Sequence, residues 1–201
     1  EHVHSLLDWE TPRMSKILVD TIDTRSGTST LTLGSSNANT LSLNSSITTL
    51  PATLTNTPAF FINKQSDQTL SSSTYTLITF DTEIIDTDNA FASNKFTVPS
   101  GKGGKYQIGS VLFTDSNSGS NYSYSIIQMR VNGATTHYHI MDFRDNPVNQ
   151  MSVGVNAILN LSASDYVEVY CQIADLSGDP KIDTDSSTLQ SYFYGYRLIG
   201  V

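Results

Sequence analysis

The chain has 201 residues, with 11 basic against 19 acidic side chains, a formal net charge of −8 and a sequence pI near 4.7. This length allows one domain with its own core plus an appendage, and the acidic balance without basic runs excludes a phosphate-tracking nucleic-acid surface. No apolar run reaches the ~18 residues of a membrane span, and the single Cys171 excludes an intrachain disulfide.

The first segment, residues 1–14, contains the only tryptophan, Trp9, and runs up to Met14-Ser15-Lys16, which is typical of a natural start. Two interpretations remain open for it. It is either a leader that precedes the protein proper or a peptide that docks on a larger assembly.

Residues 15–57 are rich in Ser, Thr, Asn and Leu and carry a short internal repeat. Thr30-Leu31-Thr32-Leu33 is followed by Thr40-Leu41-Ser42-Leu43, and each is succeeded by a turn-forming Ser/Asn stretch. Such strands bury too little apolar surface alone, but three chains wound together bury their leucines on a common axis. We therefore predict a trimeric extended β stalk, held by Leu31, Leu33, Leu41 and Leu43. The alternative is a disordered polar linker.

Residues 58–201 contain strand after strand, without sustained helical periodicity. Val167, Val169, Cys171 and Ile173 alternate with polar or aromatic residues, and the same alternation precedes them from Ser152 to Leu161. We expect Ser162-Ala163-Ser164 to join these two strands as a hairpin and Asn132-Gly133 to form another tight turn. Further strands are predicted at residues 59–64, 74–84, 106–114, 122–131, 135–143 and 191–199. The predicted fold is an all-β antiparallel jelly-roll sandwich.

Several motifs in residues 58–201 occur in the order found in the complement C1q globular-head family, which is related to the tumour-necrosis-factor ligands. They are Pro58-Ala59-Phe60, Phe80-Asp81, Lys95-Phe96-Thr97-Val98-Pro99, Gly104-Lys105-Tyr106, Leu159-Asn160-Leu161, Asp165-Tyr166-Val167 and Phe193-Tyr194-Gly195-Tyr196. The region resembles that family, although Ser164 stands where the family has glycine. The resemblance implies a C1q/TNF-like jelly-roll head that forms a trimer and binds a ligand without catalysing a reaction.

The stalk is similar in texture to the shafts of bacteriophage fibres, and no collagen repeat precedes the head. We therefore expect a structural virion protein, a head or tail fibre whose N-terminus docks on capsid or tail proteins. Its jelly-roll tip would bind a host-surface glycan or protein outside the cell. The alternative is a secreted, C1q-like recognition module, a lectin-like soluble trimer.

His137 and His139 are the one pair with metal-ligand spacing, because residues two apart on a strand point to the same side. In a trimer, three copies would present a transition-metal site near the three-fold axis. The alternative is that both are polar residues on the outer face, with Tyr138 and Ile140 inward. Apart from such a transition metal, or calcium on the three-fold axis, no cofactor is expected.

Carboxylates cluster in predicted loops, where oxygen-rich turns suit calcium as well as solvent. They are Asp86, Asp88, Asp142, Asp145, Asp175, Asp179, Asp183 and Asp185. No stretch matches the twelve-residue calcium loop, and no nucleophile elbow or phosphate loop occurs. Cys171 lies on the valine side of its strand and is interpreted as a small buried hydrophobe. We predict no catalytic residue.

Tyrosines are the strongest candidates for a contact surface. Tyr166 and Tyr170 lie opposite the valines of their strand, and Tyr192, Tyr194 and Tyr196 share one side of the last strand. Exposed aromatic patches mark association surfaces, so all five are predicted at the trimer interface. The alternative is that they cover the surface of a single sandwich.

Overall fold

A computed structural model of the chain describes residues 55–117, 119, 122–175, 177–184 and 188–199. These residues contain thirteen β-strands and no helix, and hence no helix able to cross a membrane. The strands are β1 Ala59–Asn63, β2 Gln68–Thr69, β3 Thr76–Leu77, β4 Thr82–Asp86, β5 Phe91–Ala92, β6 Lys95–Thr97, β7 Gly104–Asp115, β8 Tyr122–Val131, β9 Ala134–Asp142, β10 Gln150–Leu161, β11 Tyr166–Asp175, β12 Lys181–Ile182 and β13 Tyr192–Arg197.

The strands form two antiparallel sheets, as predicted for a jelly roll. In sheet A the path is β2-β12-β7-β13-β1-β4, and β10 pairs along the other side of β7. In sheet B the order is β5-β6-β11-β8-β9, and β3 also pairs with β11. The predicted all-β sandwich is confirmed.

The two sheets enclose one apolar core. Alternate residues of β11, from Val167 to Ile173, are fully buried on the inner side of sheet B. Phe96 from sheet B stacks on Phe60 from sheet A with ring centroids 4.6 Å apart, and Phe193 meets Phe60 edge-on at 4.9 Å. Burial of such aromatic rings between the layers contributes much of the stability of a sandwich.

The Asn132-Gly133 turn is confirmed: both residues have positive φ, 52° and 79°, as a two-residue hairpin loop between β8 and β9 requires. The hairpin expected at Ser162-Ala163-Ser164 is wrong. β10 pairs with β7 in sheet A, whereas β11 belongs to sheet B, so these residues cross from one sheet to the other. A short turn is compatible with either connection, and only the long-range pairing distinguishes them.

The single strand predicted for residues 74–84 is also wrong, because the chain leaves sheet B after β3 and joins sheet A at β4. Gln68 accounts for the interruption. Its side-chain amide donates to the carbonyl of Leu77 at 2.9 Å and its oxygen accepts from the N–H of Thr79 at 3.0 Å. A side chain thus supplies the hydrogen bonds that a neighbouring strand would otherwise provide.

Candidate recognition surfaces

Tyr192, Tyr194 and Tyr196 lie together on the outer side of sheet A. Phe193 and Gly195, which alternate with them on β13, point into the core. Phe61 of β1 lies beside this row, with its ring centroid 5.4 Å from that of Tyr192, and the Tyr192 and Tyr194 centroids are 6.0 Å apart. We call these four side chains the aromatic face. Tyr196 is 40% exposed, and the other three are partly buried.

A glycine lies beneath the aromatic face. Gly109 of β7 is paired with Tyr194 of β13, and a Cβ at Gly109 would lie 2.7 Å from atoms of the Tyr194 ring. The ring therefore packs on bare backbone and keeps close to the sheet.

Tyr166 and Tyr170 also point away from the core, but on the outer side of sheet B. A cationic side chain lies over each of these two rings. The Lys95 Nζ atom lies 4.5 Å from the centroid of the Tyr166 ring, and the Arg130 guanidinium carbon lies 3.7 Å from that of Tyr170. These are cation–π contacts that cover the ring faces. The sandwich thus separates the two tyrosine groups that were predicted at one interface.

His137 and His139 lie on β9, the edge strand of sheet B. They are paired with Met129 and Ile127, two buried core residues, so both imidazoles project toward the inner side of the sheet. The alternative arrangement, with Tyr138 and Ile140 inward, is wrong: these residues are on the outer side and are 60% and 51% exposed.

Every residue of β9 is exposed, and the strand has a partner, β8, on one side only. Within the described part of the chain, no group of three potential metal ligands comes together around the histidines or elsewhere. A metal site at His137 and His139 therefore stays a prediction that requires ligands from other copies.

Several of the loop carboxylates hold their own turns. Asp86 accepts from the N–H groups of Ala90 and Phe91 at 2.9 Å each, and Asp183 pairs with Lys181 at 2.7 Å. Asp142 pairs with Arg144, which lowers the pKa of its carboxyl to about 2. Carboxylates with such hydrogen bonds and ion pairs fix the geometry of their loops. Asp185 lies outside the described residues.

Asp175, at the end of β11, differs from the other carboxylates. Both of its carboxylate oxygens are buried without a hydrogen-bond partner. Burial and then the nearby carboxylate of Asp115 raise the pKa of Asp175 to about 6. Asp115 itself accepts from the Asn117 N–H and the Gln150 amide, both at 2.6 Å. Asp175 is two residues after the buried Ile173, and residues two apart on a strand lie on the same side. The sequence therefore contained a signal for this inward position, although Asp175 was predicted in a loop.

Cys171 is fully buried on the inner side of β11, and burial raises the pKa of its thiol to about 12. It is the small buried hydrophobe that was predicted. Leu31, Leu33, Leu41 and Leu43, like residues 1–14, lie outside the described residues, so the stalk stays a prediction.

Arg130 was not among the candidate site residues predicted from the sequence. It alternates with the core residues Ile127 and Met129 on β8, which places it on the outer side of sheet B. A second arginine, Arg144, lies 5.8 Å from the ring of Tyr124 and borders a depression of about 240 Å³ lined also by Ile126 and Ile140. Sheet B therefore carries two arginine–tyrosine pairs on its outer side.

The fold is similar to a solved structure described as the globular domain of zebrafish complement 1qA protein. The TM-score is 0.50 at 13% sequence identity, and the match covers 70% of this chain and 97% of that domain. The C1q/TNF-like fold predicted for the head is thereby confirmed, and at this identity the likeness is one of fold alone. No protein-family model matches the chain, and no curated protein matches its sequence.

Proposed function

We propose that this chain is a non-catalytic recognition protein that assembles as a homotrimer and serves as a head or tail fibre of a virion. Its jelly-roll head binds a ligand on the host surface, and residues 15–57 form the stalk. The aromatic face carries this proposal. Four large rings gathered on one side of a sheet favour burial against another protein surface.

A second apolar surface supports assembly into a ring. Tyr138 and Ile140, both on the outer side of β9, are 60% and 51% exposed, and they lie on the edge of sheet B rather than on the aromatic face. Two different apolar surfaces on one chain favour a heterologous contact, in which one copy offers its edge and the next its face. Such a contact repeats and closes into a cyclic oligomer when the rotation allows it.

Within this proposal, Tyr192, Tyr194 and Tyr196 belong to the trimer interface. Tyr166 and Tyr170 were predicted there too, but they lie on the opposite side of the sandwich under Lys95 and Arg130. A cation over the ring is costly to bury without a counter-charge. We therefore leave these two outside the proposed interface.

A non-catalytic role agrees with the titratable groups of the head. The carboxyl with the raised pKa, that of Asp175, has both oxygens buried and offers no atom to a substrate in a groove. The thiol of Cys171 is also buried and its pKa is raised, which disfavours a nucleophilic thiolate.

The fibre role rests on the leucine repeat in the sequence of residues 15–57, and the docking role on residues 1–14. In that setting the protein is located on the virion and contacts capsid or tail proteins through its N-terminus. The alternative, a secreted recognition module, agrees equally well with the C1q-like head. Detection of the chain in purified virions would support the fibre, whereas a cleavable secretory signal in the gene would favour secretion.

The oligomeric state is tested by measuring the mass of the full chain in solution at micromolar concentration. We expect three copies, and Tyr194→Ser should shift the equilibrium toward monomer without loss of the β-sheet circular dichroism signal. A monomeric parent chain with an intact fold would refute the assembly.

A further inference from the structure

Arg130 is held in one orientation by its neighbours on sheet B. Its Nε and Nη2 atoms both donate to the Oε1 atom of Gln128, at 3.0 and 2.8 Å, and Thr135 donates to the same oxygen at 3.1 Å. The guanidinium lies 3.7 Å from the centroid of the Tyr170 ring and 5.6 Å from that of Tyr75. An arginine has five N–H donors, so the two bonds to Gln128 leave three for a ligand.

The charge of Arg130 is not neutralised as that of Arg144 is. Arg144 forms a bidentate ion pair with Asp142, whereas no ion pair of Arg130 occurs among the described residues. Glu168 lies opposite both Arg130 and Lys95 in the strand register, without a salt bridge to either. This part of sheet B thus holds two cations to one carboxylate in a chain of net charge −8.

We propose that Arg130, with Tyr75 and Tyr170, forms a binding site for a carboxylated saccharide. This rests on the proposed function as a recognition protein and names the class of its ligand. A planar guanidinium with free donors matches a carboxylate in a bidentate pair. Tyr75 is 38% exposed and adds an aromatic surface with a hydroxyl, which suits the mixed apolar and polar faces of a sugar ring.

Pre-organisation strengthens this assignment. A solvated arginine loses side-chain freedom when it binds, but Gln128 and Tyr170 already hold the Arg130 side chain. The site also lies on the outer side of sheet B, opposite the aromatic face, so a bound ligand leaves the aromatic face free for assembly.

The test compares sialyllactose with lactose, by titration calorimetry on the full chain. We expect saturable binding of sialyllactose and binding of lactose weaker by about tenfold or more, the contribution of a charge-assisted pair. Arg130→Gln should bring sialyllactose down to the level of lactose. Arg144→Gln is the matched control, since it removes another tyrosine-associated arginine, in the turn that follows β9, and it should bind as the parent does.

Equal binding by the parent and Arg130→Gln would overturn the site, as would equal loss in Arg144→Gln. Binding of inorganic phosphate without sialyllactose would also overturn it. If Arg130→Gln unfolds, Tyr75→Ser decides: weaker sialyllactose binding supports the site, and unchanged binding refutes it. A trimer that binds no sialyllactose refutes the site alone, while a monomer that binds it refutes the trimer alone.

Discussion

The ring of Tyr194 lies on the backbone of Gly109, the residue directly opposite it on β7. A Cβ at this position would come within 2.7 Å of the Cε1, Cζ and Oη atoms of that ring. These atoms are the far end of a side chain on the outer surface, so the ring can move away without a shift of the sheet.

Gly109→Ala is therefore expected to change the free energy of unfolding by less than about 0.5 kcal/mol, while the displaced Tyr194 ring disrupts the aromatic face. Within the proposed trimer, the dissociation constant should rise roughly tenfold. Sedimentation equilibrium measures it. Gly103→Ala is the control, because its Cβ would have only ordinary contacts, the nearest at 3.4 Å. An unchanged trimer in Gly109→Ala would contradict the interface.

Gly195→Ala should behave differently, although Gly195 is adjacent to Tyr194. Its Cβ would point into the core, 2.7 Å from the Cε1 atom of Phe60 and 3.0 Å from Ile108. Overpacking of a dense core costs about 1–3 kcal/mol. We expect a lower midpoint in urea unfolding with the oligomeric state retained below the transition. A midpoint equal to that of the parent would show that the core can relax around the added methyl group.

Asp175 should make the stability depend on pH in a defined window. Its pKa is raised from 3.8 to about 6 in the folded protein, so the folded state binds more protons between these values, and stability rises as the pH falls through about 6. Four other carboxyls have lowered pKa values, those of Asp67, Asp81, Asp142 and Asp165. They stabilise the folded state above their unfolded pKa of 3.8, and this stabilisation is lost only as the pH falls through and below that value. The two effects therefore occur in separate pH ranges.

The parent protein should become more stable as the pH falls from about 7 to about 5, and Asp175→Asn should abolish this pH dependence. The variant should also be more stable than the parent at neutral pH, because it has no buried charge at this position. Thermal unfolding of the parent and the variant at both pH values measures the difference. Asp165→Asn provides the comparison: the pKa of the Asp165 carboxyl is lowered, so its removal should leave the slope in this window intact. A parallel pH dependence in the parent and Asp175→Asn would refute the assignment.

Ser164→Gly is expected to stabilise the crossing between the sheets. Ser164 has a φ of 73°, a left-handed conformation that glycine adopts without the steric cost of a Cβ. The gain is about 0.5 kcal/mol, since the added freedom of glycine in the unfolded chain offsets part of the relief. The backbone bond from the Ser164 N–H to Val98, at 2.8 Å, stays available in the variant. Chemical denaturation measures the change, and a loss of stability would show that the serine side chain contributes there.

For β11, the pattern of apolar residues was sufficient to assign the side chains that face the core. The alternation of Val167, Val169, Cys171 and Ile173 placed them inward, and all four are fully buried. The Asn132-Gly133 turn was equally readable, because positive φ at both positions is a local requirement. Side-chain alternation and turn chemistry depend on near neighbours, so no knowledge of the rest of the fold is needed.

Strand partners, and the side chains that meet on one surface, became known from the folded structure alone. β10 pairs with β7 rather than with β11, which follows it in the chain, and β9 is left as the exposed edge strand of sheet B. The assignment of strands to two sheets places Tyr170 and Tyr194 on opposite sides of the molecule. Within sheet B, the pairing of β8 with β9 and β11 brings Gln128, Thr135 and Tyr170 around Arg130. Alternation fixes a side of a strand, but the choice of neighbouring strand depends on contacts between residues far apart in the chain, which no local pattern encodes.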